Sequence, residues 1–251
     1  MFQNFLNSLL FTFCIFLFFC CSTVKTTDKE GTNKKINYLA LGDSYTIGES
    51  VKIRERYPVQ LVEKIEFLSK NETNKEDEKN RIYFEEPQII AKTGWTCEEL
   101  LTAIRLEEQK NELKQKYDIV SLLIGVNDQY RNYDSTKYEQ RFEKILQKAI
   151  SLAGKDASKV FVISIPDWGV TDYAKNKKID AQKVATEIDY YNKINKQIAL
   201  KHKVDYFDIT PISRKATSDK DLIAKDGLHP SADMYKAWVK LMAEDVLKMI
   251  K

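Results

Sequence analysis

Tyr38-Leu39-Ala40-Leu41-Gly42-Asp43-Ser44-Tyr45-Thr46-Ile47-Gly48 is the stretch on which the reading of this 251-residue chain turns. A short apolar run that ends at a glycine reads as a buried strand, here from Ile36 to Leu41, and the residues after it turn the chain tightly. Ser44 then lies just past the carboxyl end of a strand, where open α/β sheets gather their ligands. A serine hydroxyl in that place is a candidate nucleophile, provided that a base can take its proton.

Histidine is the commonest base near neutral pH, and the chain holds two. His202 sits among lysines in Leu200-Lys201-His202-Lys203, at the end of a helical pattern, and reads as a solvated helix terminus. His229 lies in Asp226-Gly227-Leu228-His229-Pro230, with a carboxylate three residues upstream on the same glycine-containing loop. That spacing lets Asp226 accept a hydrogen bond from one ring nitrogen while the other faces Ser44, the division of labour of a Ser-His-Asp triad.

Two further pieces sit where donors for a developing oxyanion belong. Ile119-Val120-Ser121-Leu122-Leu123-Ile124 is an unbroken apolar run, hence a central strand, and it leads into Gly125-Val126-Asn127-Asp128. An asparagine on that strand-end loop can aim its amide N–H at negative charge, a role in which losing one donor costs about 3–4 kcal/mol. Ile89-Ile90-Ala91-Lys92-Thr93-Gly94 is another short apolar run closing on a glycine, and Gly94 offers a backbone N–H with no side chain in the way.

Taken together and in this order, the four blocks resemble the GDSL-type esterases and lipases of the SGNH hydrolase superfamily, from about Ile36 to the C-terminus. The resemblance implies an α/β fold, a three-layer α/β/α sandwich around a central parallel five-stranded sheet of flavodoxin-like type. It implies Ser44 as nucleophile, His229 as base and Asp226 as its partner, with the Ser44 N–H, the Gly94 N–H and the Asn127 side chain as the oxyanion hole. The implied activity is hydrolysis of carboxylic esters through an acyl-enzyme, with no cofactor. Tyr45 departs from the leucine of the family's name-giving motif and bears on pocket shape. Gly42 to Glu49 and Ser164-Ile165-Pro166-Asp167-Trp168-Gly169-Val170 look most like lysophospholipase-like bacterial members. The resemblance thus implies a lysophospholipase-like or short-chain acyl esterase, with a carbohydrate O-acetylesterase as the alternative and, in another class, a surface-displayed binding lipoprotein with vestigial catalysis.

Composition agrees with a single α/β domain: 43% hydrophobic and 31% charged residues are ordinary globular values, and a net charge of +3 spread along the chain gives no reason to expect a nucleic-acid partner. No Cys/His cluster is spaced to hold a metal. Residues 1–24 carry no charged side chain and five phenylalanines between Phe11 and Phe19, which reads as an export signal or membrane anchor. Leu17-Phe18-Phe19-Cys20-Cys21-Ser22 resembles a loose bacterial lipobox, making Cys21 or Cys20 the lipid-bearing residue of a cell-envelope lipoprotein. Residues 25–35 read as a flexible tether, and 36–251 as the hydrolase domain. Only Cys97 lies in that body, so it forms no internal disulfide, and a buried structural thiol is the expectation.

Helical spacing of apolar residues predicts helices over Tyr57–Leu68, Glu98–Lys116, Tyr138–Leu152, Val184–Ala199 and from Ser231 to the end. Further strands are predicted at Val160–Ile165 and Val204–Phe207. The charged run from Ser69 to Lys79 and the lysine-rich Tyr173–Lys183 read as surface loops. Trp95 and Trp168, both on loops after strands at the Ser44 edge, are candidate walls of an acyl pocket. Strands alternating with helices imply a parallel sheet covered on both faces.

Overall fold

The computed structural model describes residues 35–72 and 81–251. The N-terminal segment with Cys20 and Cys21, and residues 73–80, lie outside the described residues. Among those described, no helix is long and apolar enough to cross a membrane.

In chain order the elements are β1 (Lys35–Ile36), β2 (Tyr38–Gly42), α1 (Ser44–Ile47), α2 (Tyr57–Glu72), β3 (Tyr83–Phe84), β4 (Gln88–Ala91), α3 (Cys97–Gln109), β5 (Ile119–Leu123), α4 (Val126–Tyr130) and α5 (Ser135–Leu152). They continue with β6 (Val160–Ile163), α6 (Asp172–Asn176), α7 (Ala181–Lys201), β7 (Asp205–Phe207), α8 (Thr210–Arg214) and α9 (Ala232–Ile250). The main sheet is five-stranded and parallel, in the order β4-β2-β5-β6-β7. Every residue of β2, β5 and β6 is buried, as strands covered on both faces must be.

Right-handed crossovers explain the layers. The chain steps one way from β2 to β4 through α2, then the other way through α3, α5 and α7, so that α2 and the returning α9 pack together while α3, α5 and α7 pack in series. The direction reverses at β2, which makes the crevice beyond the carboxyl ends of β2 and β5 the topological switch point. Register sets its geometry: Gly42 pairs with Leu123 on one side and Ala91 on the other, so the three strands end level and their following loops emerge together. The one polar residue inside β5, Ser121, is satisfied by the hydroxyls of Tyr38 and Tyr57 at 2.8 and 3.1 Å.

Several sequence-based boundaries move. Helix α2 continues into the charged run as far as Glu72, where Ser69 is buried and its hydroxyl accepts the Ile82 N–H at 3.0 Å. Lys35, assigned to the tether, already pairs with Tyr83 in a two-stranded sheet of β1 and β3 that the sequence did not announce. Helix α3 stops at Gln109 rather than Lys116, because Asn111 takes a left-handed φ of 59°. The segment taken for a loop at Tyr173–Lys183 contains α6 and the start of α7, capped by the side chains of Thr171 and Asp180.

Candidate active site

Gly42 ends β2 where a side chain has no room. A Cβ there would collide with the Leu123 carbonyl oxygen on the neighbouring strand and with the Thr46 hydroxyl. The chain then enters α1, a single turn whose first residue is Ser44. Asp43 caps it, accepting the Tyr45 N–H at 3.0 Å, and Gly48 closes it in the left-handed region with φ 69°. Ser44 is 5% exposed, presented at the floor of a cleft rather than on open surface.

That cleft is a cavity of about 160 Å³ lined by Ser44, Tyr45, Val126, Asn127, Tyr130, Trp168, Tyr173, Leu228 and His229. Residues 185 positions apart in sequence, Ser44 and His229, thus share one wall. Tyr45 is held by Tyr235, whose hydroxyl donates to its carbonyl at 3.0 Å, and its ring stands edge-on to the His229 imidazole at 5.8 Å. The residue that departs from the family motif is therefore packed against the candidate base.

His229 is 9% exposed, and its Nδ1 lies 2.6 Å from Asp226 Oδ2. Asp226 accepts three more hydrogen bonds: the Ser50 hydroxyl to Oδ2 at 2.7 Å, and the N–H groups of Leu228 and His229 to Oδ1 at 2.9 and 3.0 Å. Partial burial works to raise the carboxyl's pKa, but these donors outweigh it and hold the group at about 2. Asp226 is thus an anion at neutral pH. Gly227, with φ 73°, allows the turn that folds the carboxylate back onto the imidazole.

Asn127 sits in the first turn of α4, after Gly125 adopts φ 126°; a Cβ on Gly125 would strike the Tyr138 hydroxyl. One amide N–H of Asn127 is taken by the Trp95 carbonyl at 2.9 Å, which fixes the side chain's orientation. Arg131, at the C-terminal end of α4, donates to the preceding carbonyl, that of Gly94, at 2.7 Å. One helix therefore grips two successive peptide groups of the loop that carries Gly94, whose own φ is +86°. Gly94 and Trp95 are not among the residues lining the cavity. Trp95 is half-buried against the core and enters the site only through its carbonyl, whereas Trp168 does form a wall.

Two buried carboxylates lie behind these loops. Burial pushes Asp43 up to about 8, its Oδ2 having no partner among the described residues, and pushes Asp128 up to about 6 despite the Cys97 N–H it accepts at 2.9 Å. Cys97 is fully buried and its thiol pKa is raised by burial, which makes it the inert structural residue expected. His202 is not simply solvated: it closes α7 and is bound through Nε2 to Glu143 at 2.6 Å. Among the described residues no group of His, Cys, Asp and Glu is arranged to hold a metal ion.

Comparison with known proteins meets this geometry from another side. The sequence profile of the GDSL-like lipase/acylhydrolase family matches residues 40–237. No curated protein sequence matches the chain. Among solved structures, TesA superposes with a TM-score of 0.59 at 16% identity, covering 86% of this chain and 99% of that one. A lipase/acylhydrolase from Enterococcus faecalis gives 0.57 at 20% identity, covering 86% and 97%. The acetyl xylan esterase AlAXEase gives 0.58 at 16% identity, covering 84% and 100%. At such identities the structures speak for a shared fold, the α/β/α sandwich expected of the SGNH superfamily. With the profile spanning more than three quarters of its length, the chain belongs to the GDSL-like lipase/acylhydrolase family of the SGNH hydrolase superfamily and is a carboxylic ester hydrolase.

Proposed function

We propose that this protein hydrolyses short-chain acyl esters by transferring the acyl group from substrate to Ser44 and then to water. The observation that carries the reading is the small cavity on which Ser44, Asn127 and His229 meet, with the imidazole tied to an ionised Asp226. In this cycle His229 Nε2 takes the Ser44 proton as Oγ attacks the ester carbonyl, and gives it to the departing alcohol. The Ser44 N–H and the second amide N–H of Asn127 hold the oxyanion at the cavity, and the family resemblance adds the N–H of Gly94, on the loop gripped from α4. Water, deprotonated by the same imidazole, then attacks the acyl-enzyme, releasing the acid and restoring the serine. Asp226 holds the Nδ1–H tautomer and steadies the imidazolium that forms twice per cycle.

Cavity size favours a short acyl group. At about 160 Å³ it is well below the ~300–1,000 Å³ of pockets that enclose drug-sized ligands. The expected result is a kcat/KM that falls at least tenfold from p-nitrophenyl butyrate to the octanoate. A flat profile, or strong release of fatty acid from a lysophospholipid, would replace this reading with the lysophospholipase-like one. The same cavity also suits an acetyl group on a sugar, and an acetyl xylan esterase is among the similar folds. Acetate released from an O-acetylated xylo-oligosaccharide faster than from the p-nitrophenyl ester would select that alternative.

The charge-free, phenylalanine-rich residues 1–24 support export, with the domain held at the cell envelope through Cys21 or Cys20. The full chain is expected in the membrane fraction of expressing cells, and a chain lacking residues 1–24 in the soluble fraction. A wild-type chain recovered wholly in the soluble fraction removes the anchor.

A further inference from the structure

Beyond the serine, the asparagine, the imidazole and the Tyr45 ring packed on it, the cavity is lined by Val126, Leu228 and three further aromatic rings that come from three places in the chain. Trp168, on the turn after β6, is 5% exposed and donates its indole N–H to Gln129 Oε1 at 2.9 Å. Tyr130, at the end of α4, stands edge-on to that indole with 5.4 Å between ring centres. Tyr173, in α6, meets it edge-on at 6.4 Å. The two tyrosine hydroxyls then meet each other at 3.3 Å.

This pairing is built into the same elements that carry the chemistry. Tyr130 lies three residues after Asn127 on α4, so one helical turn presents both the amide and the ring. Tyr173 donates its backbone N–H to the Gly227 carbonyl at 2.9 Å, which ties α6 to the loop of Asp226 and His229. Tyr130 is 50% exposed and Trp168 nearly buried, so the tyrosines occupy the solvent side of the aromatic cluster and the indole its inner side. An acyl tail that leaves the cavity between Tyr130 and Tyr173 has to part the two hydroxyls.

We infer that the Tyr130–Tyr173 pair is the acyl-length stop of this esterase: while the two hydroxyls touch, the cavity takes a short acyl group, and a longer tail enters only by parting them. The inference rests on the proposed attack by Ser44 on an ester bound in this cavity. It is tested with kcat and KM for p-nitrophenyl acetate, butyrate and octanoate on the wild-type protein, Tyr130→Ala and Tyr173→Phe. Tyr130→Ala removes a half-exposed ring, and Tyr173→Phe keeps the ring while deleting only the hydroxyl contact. The octanoate-to-acetate ratio of kcat/KM is expected to rise about tenfold or more in Tyr130→Ala and by less in Tyr173→Phe, with the gain appearing chiefly in KM for octanoate. A ratio unchanged in both variants, including an equal loss on all three esters, overturns the inference while leaving the esterase reading intact. A wild-type protein that turns over none of the three esters and takes up no fluorophosphonate overturns the esterase reading, and the stop with it.

Discussion

Ser44→Ala is expected to lower turnover of p-nitrophenyl acetate by about 10⁴-fold or more, with the far-UV circular dichroism of the wild type. The fold survives because the cap of α1 is the Asp43 carboxylate and not the serine hydroxyl, and because the closing contacts of that turn run through backbone groups. What is lost is the one serine hydroxyl among the residues that line the cavity together with the imidazole and the amide. Fluorophosphonate labelling, present in the wild type, should vanish in the variant. Retained turnover would strip Ser44 of its role, and a wild-type protein that resists labelling would favour a binding module on a hydrolase fold.

Asp226→Asn should be nearly as damaging, with a loss of about 10⁴-fold in kcat and little change in KM. An amide turned toward the imidazole presents an N–H where Nδ1 needs an acceptor. The ring then shifts to the tautomer that carries its proton on Nε2, and Nε2 can no longer accept from Ser44. The variant also reports on stability. Asp226 has a folded pKa of about 2 against an ordinary 3.8, so its ionised form is favoured by folding. That contribution is present above about pH 3.8 and is lost as the pH falls through about 2. The gap in stability between wild type and Asp226→Asn, followed by thermal melting, should therefore close across that window; a gap that stays constant from pH 5 to pH 2 would mean that the carboxylate's hydrogen bonds do not stabilise the fold.

Much of this architecture was legible in the chain because parallel sheets leave a plain signal. The central strands β2, β5 and β6, buried on both faces, read as apolar runs, and every strand found in the sequence, those at β4 and β7 included, lies within one residue or two of an observed one. Helix ends were less legible where polar side chains decided them. The caps at Thr96, Thr171 and Asp180, and the left-handed Asn111, are single-residue events that apolar periodicity does not register. The sheet of β1 and β3 was missed for a related reason: two residues on each side carry no periodicity at all.

Within the site, Ser44, Asp226, Asn127 and His229 could be picked out because each stands beside a glycine at a strand end or loop, where the chain exposes a side chain or a bare peptide. Tyr130 and Tyr173 could not. Tyr130 carried no signal of its own in the sequence, and Tyr173 read as part of a lysine-rich surface segment. Trp95 and Trp168 looked alike in sequence, yet Trp168 faces the cavity while Trp95 lends it only a carbonyl.

The order of apolar runs and turn residues by itself determined the sheet and the edge at which the chemistry-bearing side chains gather, since backbone hydrogen bonding and burial act on segments a few residues long, while the family was read from the resemblance of four ordered motifs. Only the tertiary structure decided which aromatic side chains close the cavity, how large it is, and that the Gly94 loop is gripped from α4. Those contacts join residues tens of positions apart, and their distances depend on how helices seat against the sheet rather than on any local pattern.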